Sequence, residues 1–154
     1  MNFFDFIMNL DAYGFLIIDD LKIKLPLYKT ENAKEWQKIV DDADSAIIIP
    51  CTENGFVIVD HAYQGFDKIK KCNVGTFARV ETNDFINYYK CTEIDYDGIN
   101  IGTDVLCHNQ KDSIFENNYN AITLYTCNDF NGSVTVVKFE KVSVFDKTVN
   151  ICSL

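Results

Sequence analysis

His61 and Cys127 are the two residues in this chain whose settings best suit chemistry. His61 closes the stretch "FVIVDH" and Cys127 closes "AITLYTC", so each ends an apolar run and opens a polar loop. A reactive thiolate needs partial exposure and a nearby proton acceptor or cation, and the ends of strands offer both. Cys127 admits four readings: a small apolar core residue, a disulfide half, a metal ligand or a nucleophile. The residues are far apart in sequence, so only a fold can join them.

The remaining cysteines and the second histidine narrow these readings. Cysteines stand at 51, 72, 91, 107, 127 and 152, and no two are spaced as CxxC. Cys107 and His108 are adjacent, a poor spacing for two ligands of one tetrahedral zinc, so neither a metal nor another cofactor is expected. An even cysteine count suggests disulfides in a secreted chain. The first basic residue is Lys22, so the apolar start "MNFFDFIMNL" lacks the basic segment of a signal peptide. Cys51, Cys72, Cys91, Cys107 and Cys152 are therefore expected as core or surface thiols, and His108 as a loop histidine.

The elements that must position the pair can be read from periodicity. The chain has 154 residues, 47% of them hydrophobic, with no linker, repeat or low-complexity tract, which suits one domain over 1–154. Phe3, Phe4, Phe6, Ile7 and Leu10 predict a short N-terminal helix within 1–12. "YGFLIIDD" and "LKIKLPLYKT" predict strands, the second with Leu21, Ile23 and Leu25 on one face and an edge or end at Pro26. "NAKEWQKIVDDADSA" predicts a helix capped by Asn32, with Ala33, Trp36, Ile39, Val40 and Ala43 as its apolar stripe. Asp41 to Asp44 read as its solvated end.

"AIIIPC" and "FVIVDH" predict strands about an Asn54-Gly55 turn. "GTFARVET", "YYKCTEIDY", "AITLYTC" and "VTVVKFEKVSVF" supply the rest, the last as one long strand or two. The stretch from Asp97 to Asn120 has no clear period. The sum is a mainly β chain whose closely spaced strands argue a barrel or sandwich.

Net charge is −9 and Arg79 is the single arginine. No basic patch is present for nucleic acid. No apolar run approaches the ~20 residues that span a bilayer.

The order of these pieces resembles the sortases, cysteine transpeptidases of bacterial cell surfaces. Thr123-Leu124-Tyr125-Thr126-Cys127 fits the sortase nucleophile signature Thr-Leu-x-Thr-Cys. "FVIVDHAYQGFDKI" looks like the family's histidine region, "YGFLIIDDLKIKLPLY" like its opening strands, and "NVGTFARVET" with "NYYKCTEI" like its middle strands. The likeness runs from about Tyr13 to Val142 and looks nearest to class B. It implies a closed eight-stranded β-barrel with one or two short helices. It further implies that Cys127 attacks the Thr–Gly bond of a peptide sorting signal, forming a thioacyl enzyme. His61 would protonate the leaving amine, an amine acceptor would resolve the intermediate, and Thr126 would lie at the substrate groove. The family's setting is the extracellular surface.

The chain departs from the family at its third catalytic residue, an arginine on the strand after the nucleophile. The matching position by spacing is near Thr135, and no arginine follows Arg79. Lys138 has the opposite strand parity to Thr135 and is expected to face away from the site. Asp60 replaces the usual glycine before the histidine. Three readings stay open. The first is a sortase-like transpeptidase with an altered oxyanion site. The second is a sortase-fold binding module that has lost catalysis. The third is an unrelated small barrel carrying the motif by chance.

Overall fold

The apolar runs become the staves of one closed sheet. The computed structural model describes residues 12–30, 36–43, 46–51, 54–61, 66–109, 112–116, 118–128 and 132–149. Residues 1–11 of the expected N-terminal helix, the Asn32 cap and the Trp36 side chain lie outside what is described, and Ala12, the last residue of that span, opens β1. The strands are β1 (Ala12–Ile18), β2 (Ile23–Lys29), β3 (Ala46–Pro50), β4 (Phe56–Val59), β5 (Phe77–Glu81), β6 (Phe85–Asn100), β7 (Val105–Leu106), β8 (Ala121–Cys127) and β9 (Ser133–Asp146). Their order is β5-β1-β2-β3-β4-β8-β9-β6-β7, and β5 also pairs with β6. Eight strands thus close a barrel, and β7 is an extra strand on the end of β6. Among the described residues the helices are short: α1 (Trp36–Ala43) and two 3-10 turns, Asp19–Leu21 and Phe66–Lys71. No described helix is long and apolar enough to cross a membrane.

Strand alternation sorts the side chains onto two faces of the wall. One face fills the lumen: Leu16, Leu27, Ile48, Ile58, Val80, Tyr89, Leu124 and Phe139 come from eight different strands and form one buried cluster. Phe66, Ile69 and Cys72 join it from the second 3-10 turn and its end. The other face is the outside of β2, β3, β4, β8 and β9. It carries a second cluster that includes Ile47, Ile49, Val57, Val59, Tyr125, Val134 and Val136. Val40 of α1 covers that cluster, as do Val105 and Ile114. A single barrel therefore has an inner core and an outer one.

Several expectations shift in detail. Leu21 lies in the first 3-10 turn, and Lys22 takes a left-handed φ of 55° at its end, so the second strand begins at Ile23. Pro26 does not end that strand. It faces Phe15 of β1, and the parallel pairing with β3 starts only at Leu27, so its missing N–H costs no β2–β3 hydrogen bond. The unread stretch after Asp97 first continues β6 to Asn100 and then folds back as β7. The last strand is single and long, paired with β6 from Phe85↔Asp146 to Ile99↔Ser133 through three irregularities.

Candidate active site

β4 and β8 are adjacent and parallel, with Phe56 beside Ile122 and Val59 beside Tyr125. The pairing ends there: His61 follows the carboxyl end of β4 by two residues, and Cys127 is the last residue of β8. Neighbouring strands lie about 4.8 Å apart. Cys127 shares the parity of Tyr125 and so belongs to the outer face, and His61 meets Asp41 of α1, whose neighbour Val40 packs on that same face. β4 and β8 are short and apolar because they are buried on both sides, and their polar ends are where the wall meets solvent.

Cys127 is exposed, the only exposed cysteine among the described residues. Cys72 and Cys91 are buried, and Cys51 and Cys107 half-buried. Burial pushes the Cys51 thiol up to about 11 and the Cys72 thiol to about 12. It also raises Cys91, and Cys107 together with the nearby carboxylates of Asp95, Glu93 and Asp112. These four thiols are held in the neutral, unreactive form.

His61 is 22% exposed, and its Nε2 lies 3.0 Å from the Asp41 carboxylate of α1. Its backbone N–H donates to the Asp60 side chain at 2.8 Å. Asp60 is buried and serves the main chain of His61. Asp41 was not legible as a site residue: in the sequence it is one acid in a run at a helix end. Only the docking of α1 by Val40 reveals its place.

Thr126, expected at the substrate groove, and Thr135, the position matching the absent arginine, face inward. Thr126 and Thr135 stand opposite each other across β8 and β9, and each is 1% exposed. The Thr135 hydroxyl donates to Asn128 Oδ1 at 2.8 Å, and the buried Thr126 Oγ1 has no hydrogen-bond partner among the described residues. Cys127 faces Val134, so the outer-face positions of β9 are Val134, Val136 and Lys138. The faces are the reverse of the expectation: Thr135 points away from Cys127, and Lys138 shares its face. Lys138 pairs with Thr123, four residues back along β8, or about 13 Å from Cys127.

Arg79 is no substitute for the absent arginine. It lies on β5 and pairs with Asp19 at 2.5 Å, with β6 and β9 between its strand and β8. The amide after Cys127 is also committed, since the Asn128 N–H donates to the Ser133 carbonyl at 2.9 Å.

A cleft of about 180 Å³ lies further along the same outer face, floored by Thr123, Val136 and Lys138 and walled by Asp95, Cys107 and His108. It sits beside the pair rather than around it. Asp95 is buried there and receives the His108 backbone N–H at 2.7 Å and its ring Nδ1 at 2.9 Å. Among the described residues, no three His, Cys, Asp or Glu side chains group as a metal ion would need.

No protein-family model matches this chain, and no curated protein sequence does. Solved structures do. Sortase E1 from Streptomyces coelicolor, crystallised with a tripeptide in its active site, superposes with a TM-score of 0.66 at 21% identity, covering 89% of this chain and 91% of that one. Sortase A from Listeria monocytogenes gives 0.62 at 16% identity, over 91% and 93%. A sortase D5 transpeptidase from Clostridium perfringens gives 0.61 at 19%, over 90% and 86%. The fold of this chain is the sortase fold. None of the three carries the class B name, so the expected nearness to class B draws nothing from them.

Proposed function

We propose that this protein is a sortase-like cysteine transpeptidase. The observation that supports the reading is the parallel pairing of β4 and β8: His61 follows the end of one by two residues, and exposed Cys127 closes the other. In this reading the Cys127 thiolate attacks the carbonyl carbon of a Thr–Gly-type bond in a peptide sorting signal. The C–N bond breaks, His61 gives its proton to the leaving amine, and a thioester remains on Cys127. An amine acceptor then attacks the thioester and releases the thiolate. Thr126 and Thr135 hold the wall behind the groove, since both side chains are buried.

The test is intact-protein mass spectrometry after incubation with a peptide containing a Thr–Gly step. A mass increase equal to the acyl fragment, lost on adding hydroxylamine and absent in Cys127→Ala, is the expected result. An adduct that survives in Cys127→Ala overturns the nucleophile assignment.

A second reading is favoured by one observation: among the described residues, the single arginine is paired elsewhere and Lys138 lies far along the strand. A fixed cation or N–H donor at the oxyanion commonly does more than any other group to speed acyl transfer. A sortase-fold module that binds a peptide without cleaving it fits that loss. Peptide binding by calorimetry with no adduct in the wild type distinguishes it.

A further inference from the structure

We propose that Asp41 is a positioning residue for His61, so that the candidate site is a Cys127–His61–Asp41 set. The inference rests on the reading of Cys127 and His61 as nucleophile and base. The placement begins in packing. Val40 is 1% exposed and lies in the outer cluster with Val57, Val59 and Tyr125, the side chains that precede His61 and Cys127 on their strands. Half-buried Ile39 packs on the same cluster. Val40 and Ile39 thereby dock α1 on the outer cluster, and the next residue, Asp41, meets the imidazole.

The contact is a 3.0 Å approach of the Asp41 carboxylate to His61 Nε2. A carboxylate accepts and cannot donate, so it places the ring's N–H on Nε2. Nδ1 is then the basic nitrogen, the one that must take the thiol proton. When that proton moves from Sγ to Nδ1, the imidazolium that forms keeps its Nε2–H on Asp41. Asp60 accepts the His61 backbone N–H at 2.8 Å. Ring and main chain are thus each fixed by a carboxylate. Tyr125 registers the same neighbourhood. Burial pushes its hydroxyl up, and negative charge on Cys127 and on Asp41 pushes it the same way.

The family arrangement implied by the sequence sets an arginine beside the cysteine. In this chain the charged side chain fixed to the candidate base is an acid carried by a helix. That choice orients the histidine and leaves oxyanion stabilisation to other groups.

The experiment is the rate of Cys127 alkylation by iodoacetamide across pH 5 to 9, read by peptide mass spectrometry. It compares the wild type with His61→Ala, Asp41→Asn and Asp41→Glu. We expect His61→Ala to slow alkylation near neutral pH and flatten the low-pH limb. Asp41→Asn should slow it about tenfold with the same change of profile, and Asp41→Glu should restore most of the rate. Asp41 is half-exposed, so the asparagine variant should melt with the wild type, and the melt is the control for folding. If His61→Ala changes nothing, the nucleophile–base reading itself fails. If His61→Ala slows the reaction but Asp41→Asn leaves rate and profile untouched, that reading stands and the role of Asp41 is overturned. Equal loss in the asparagine and glutamate variants also overturns it, because a positioning carboxylate must be rescued by a carboxylate.

Discussion

Thr135 stands opposite Thr126 across β8 and β9, on the inward face of the barrel wall, while Cys127 faces Val134. An arginine transplanted at Thr135, the position that spacing picks out, would therefore enter the inward face of the wall, against buried Thr126 and next to Leu124 and Val137. A buried charge without a partner is strongly destabilising. Thr135→Arg is expected to cost about 3–5 kcal/mol and to give no gain in thioester formation. Urea unfolding with the peptide adduct assay reads both. An active, stable Thr135→Arg enzyme would show that this position faces the groove after all.

Thiol reactivity separates the candidate nucleophile from the core. Cys127 is exposed, whereas burial raises the thiols of Cys51, Cys72, Cys91 and Cys107. Brief treatment with iodoacetamide at about pH 7.5, below the ordinary thiol value, should label Cys127 first, with Cys72 and Cys91 modified only after unfolding. The measurement is peptide-level mass spectrometry over time. Equal labelling of all five in the native protein would contradict their difference in burial.

Most of the barrel was legible because its strands other than β6 and β9 are short and punctuated. "AITLYTC" reads as the whole of β8, and "FVIV" as the whole of β4. Their adjacency was not legible, because a parallel pair is joined through the fold and not by a turn. The inward or outward sense of Thr135 was lost for a related reason. A period of two gives alternation along one strand, but a one-residue error in aligning β9 on β8 exchanges its faces. Asp41 was hidden because an acid at a helix end is ordinarily solvated, and its role depends on where Val40 anchors the helix. Pro26 misled in the opposite direction. It reads as a strand end, yet β2 runs through it because β3 pairs only beyond it.

The wall of the outer cleft is tied by a pair whose pH response has a definite sign. Burial alone would raise the Asp95 carboxyl, but the backbone N–H groups of His108 and Asp97 and the His108 ring hold it below the usual range. The hydrogen bond to Asp95 raises His108 in turn. The Asp95 contribution is present above about pH 3.9 and is lost as pH falls through its depressed value. The His108 contribution is full below about pH 6.5 and is lost as pH rises through its raised value. The pair therefore helps most between about pH 3.9 and about pH 6.5. In an NMR titration His108 should titrate above the ordinary value, and Asp95→Asn should return it toward about 6.5. An unchanged His108 titration in Asp95→Asn would refute the pairing.

The residue facing Cys127 is itself held by a close backbone approach. Gly98 of β6 pairs with Val134, and a Cβ added at Gly98 would meet the Cγ2 atoms of both Val134 and Val136 at 2.9 Å. Those branched side chains sit in the outer cluster with Tyr125, so they have little room to yield. Gly98→Ala should destabilise the protein by about 1–3 kcal/mol through overpacking. The strain falls on the strand beside the candidate nucleophile and not on the distant lumen. The variant should therefore also change the rate of Cys127 alkylation under conditions where the fold remains intact. A buried valine shortened at the contact relieves the overlap, so Gly98→Ala with Val136→Ala should be less destabilised than the two single costs combined. Urea midpoints for the two single variants and the double variant measure that coupling. Strict additivity would show that β6 accommodates a side chain at Gly98 by moving elsewhere, and that Val136 does not set the packing behind Cys127.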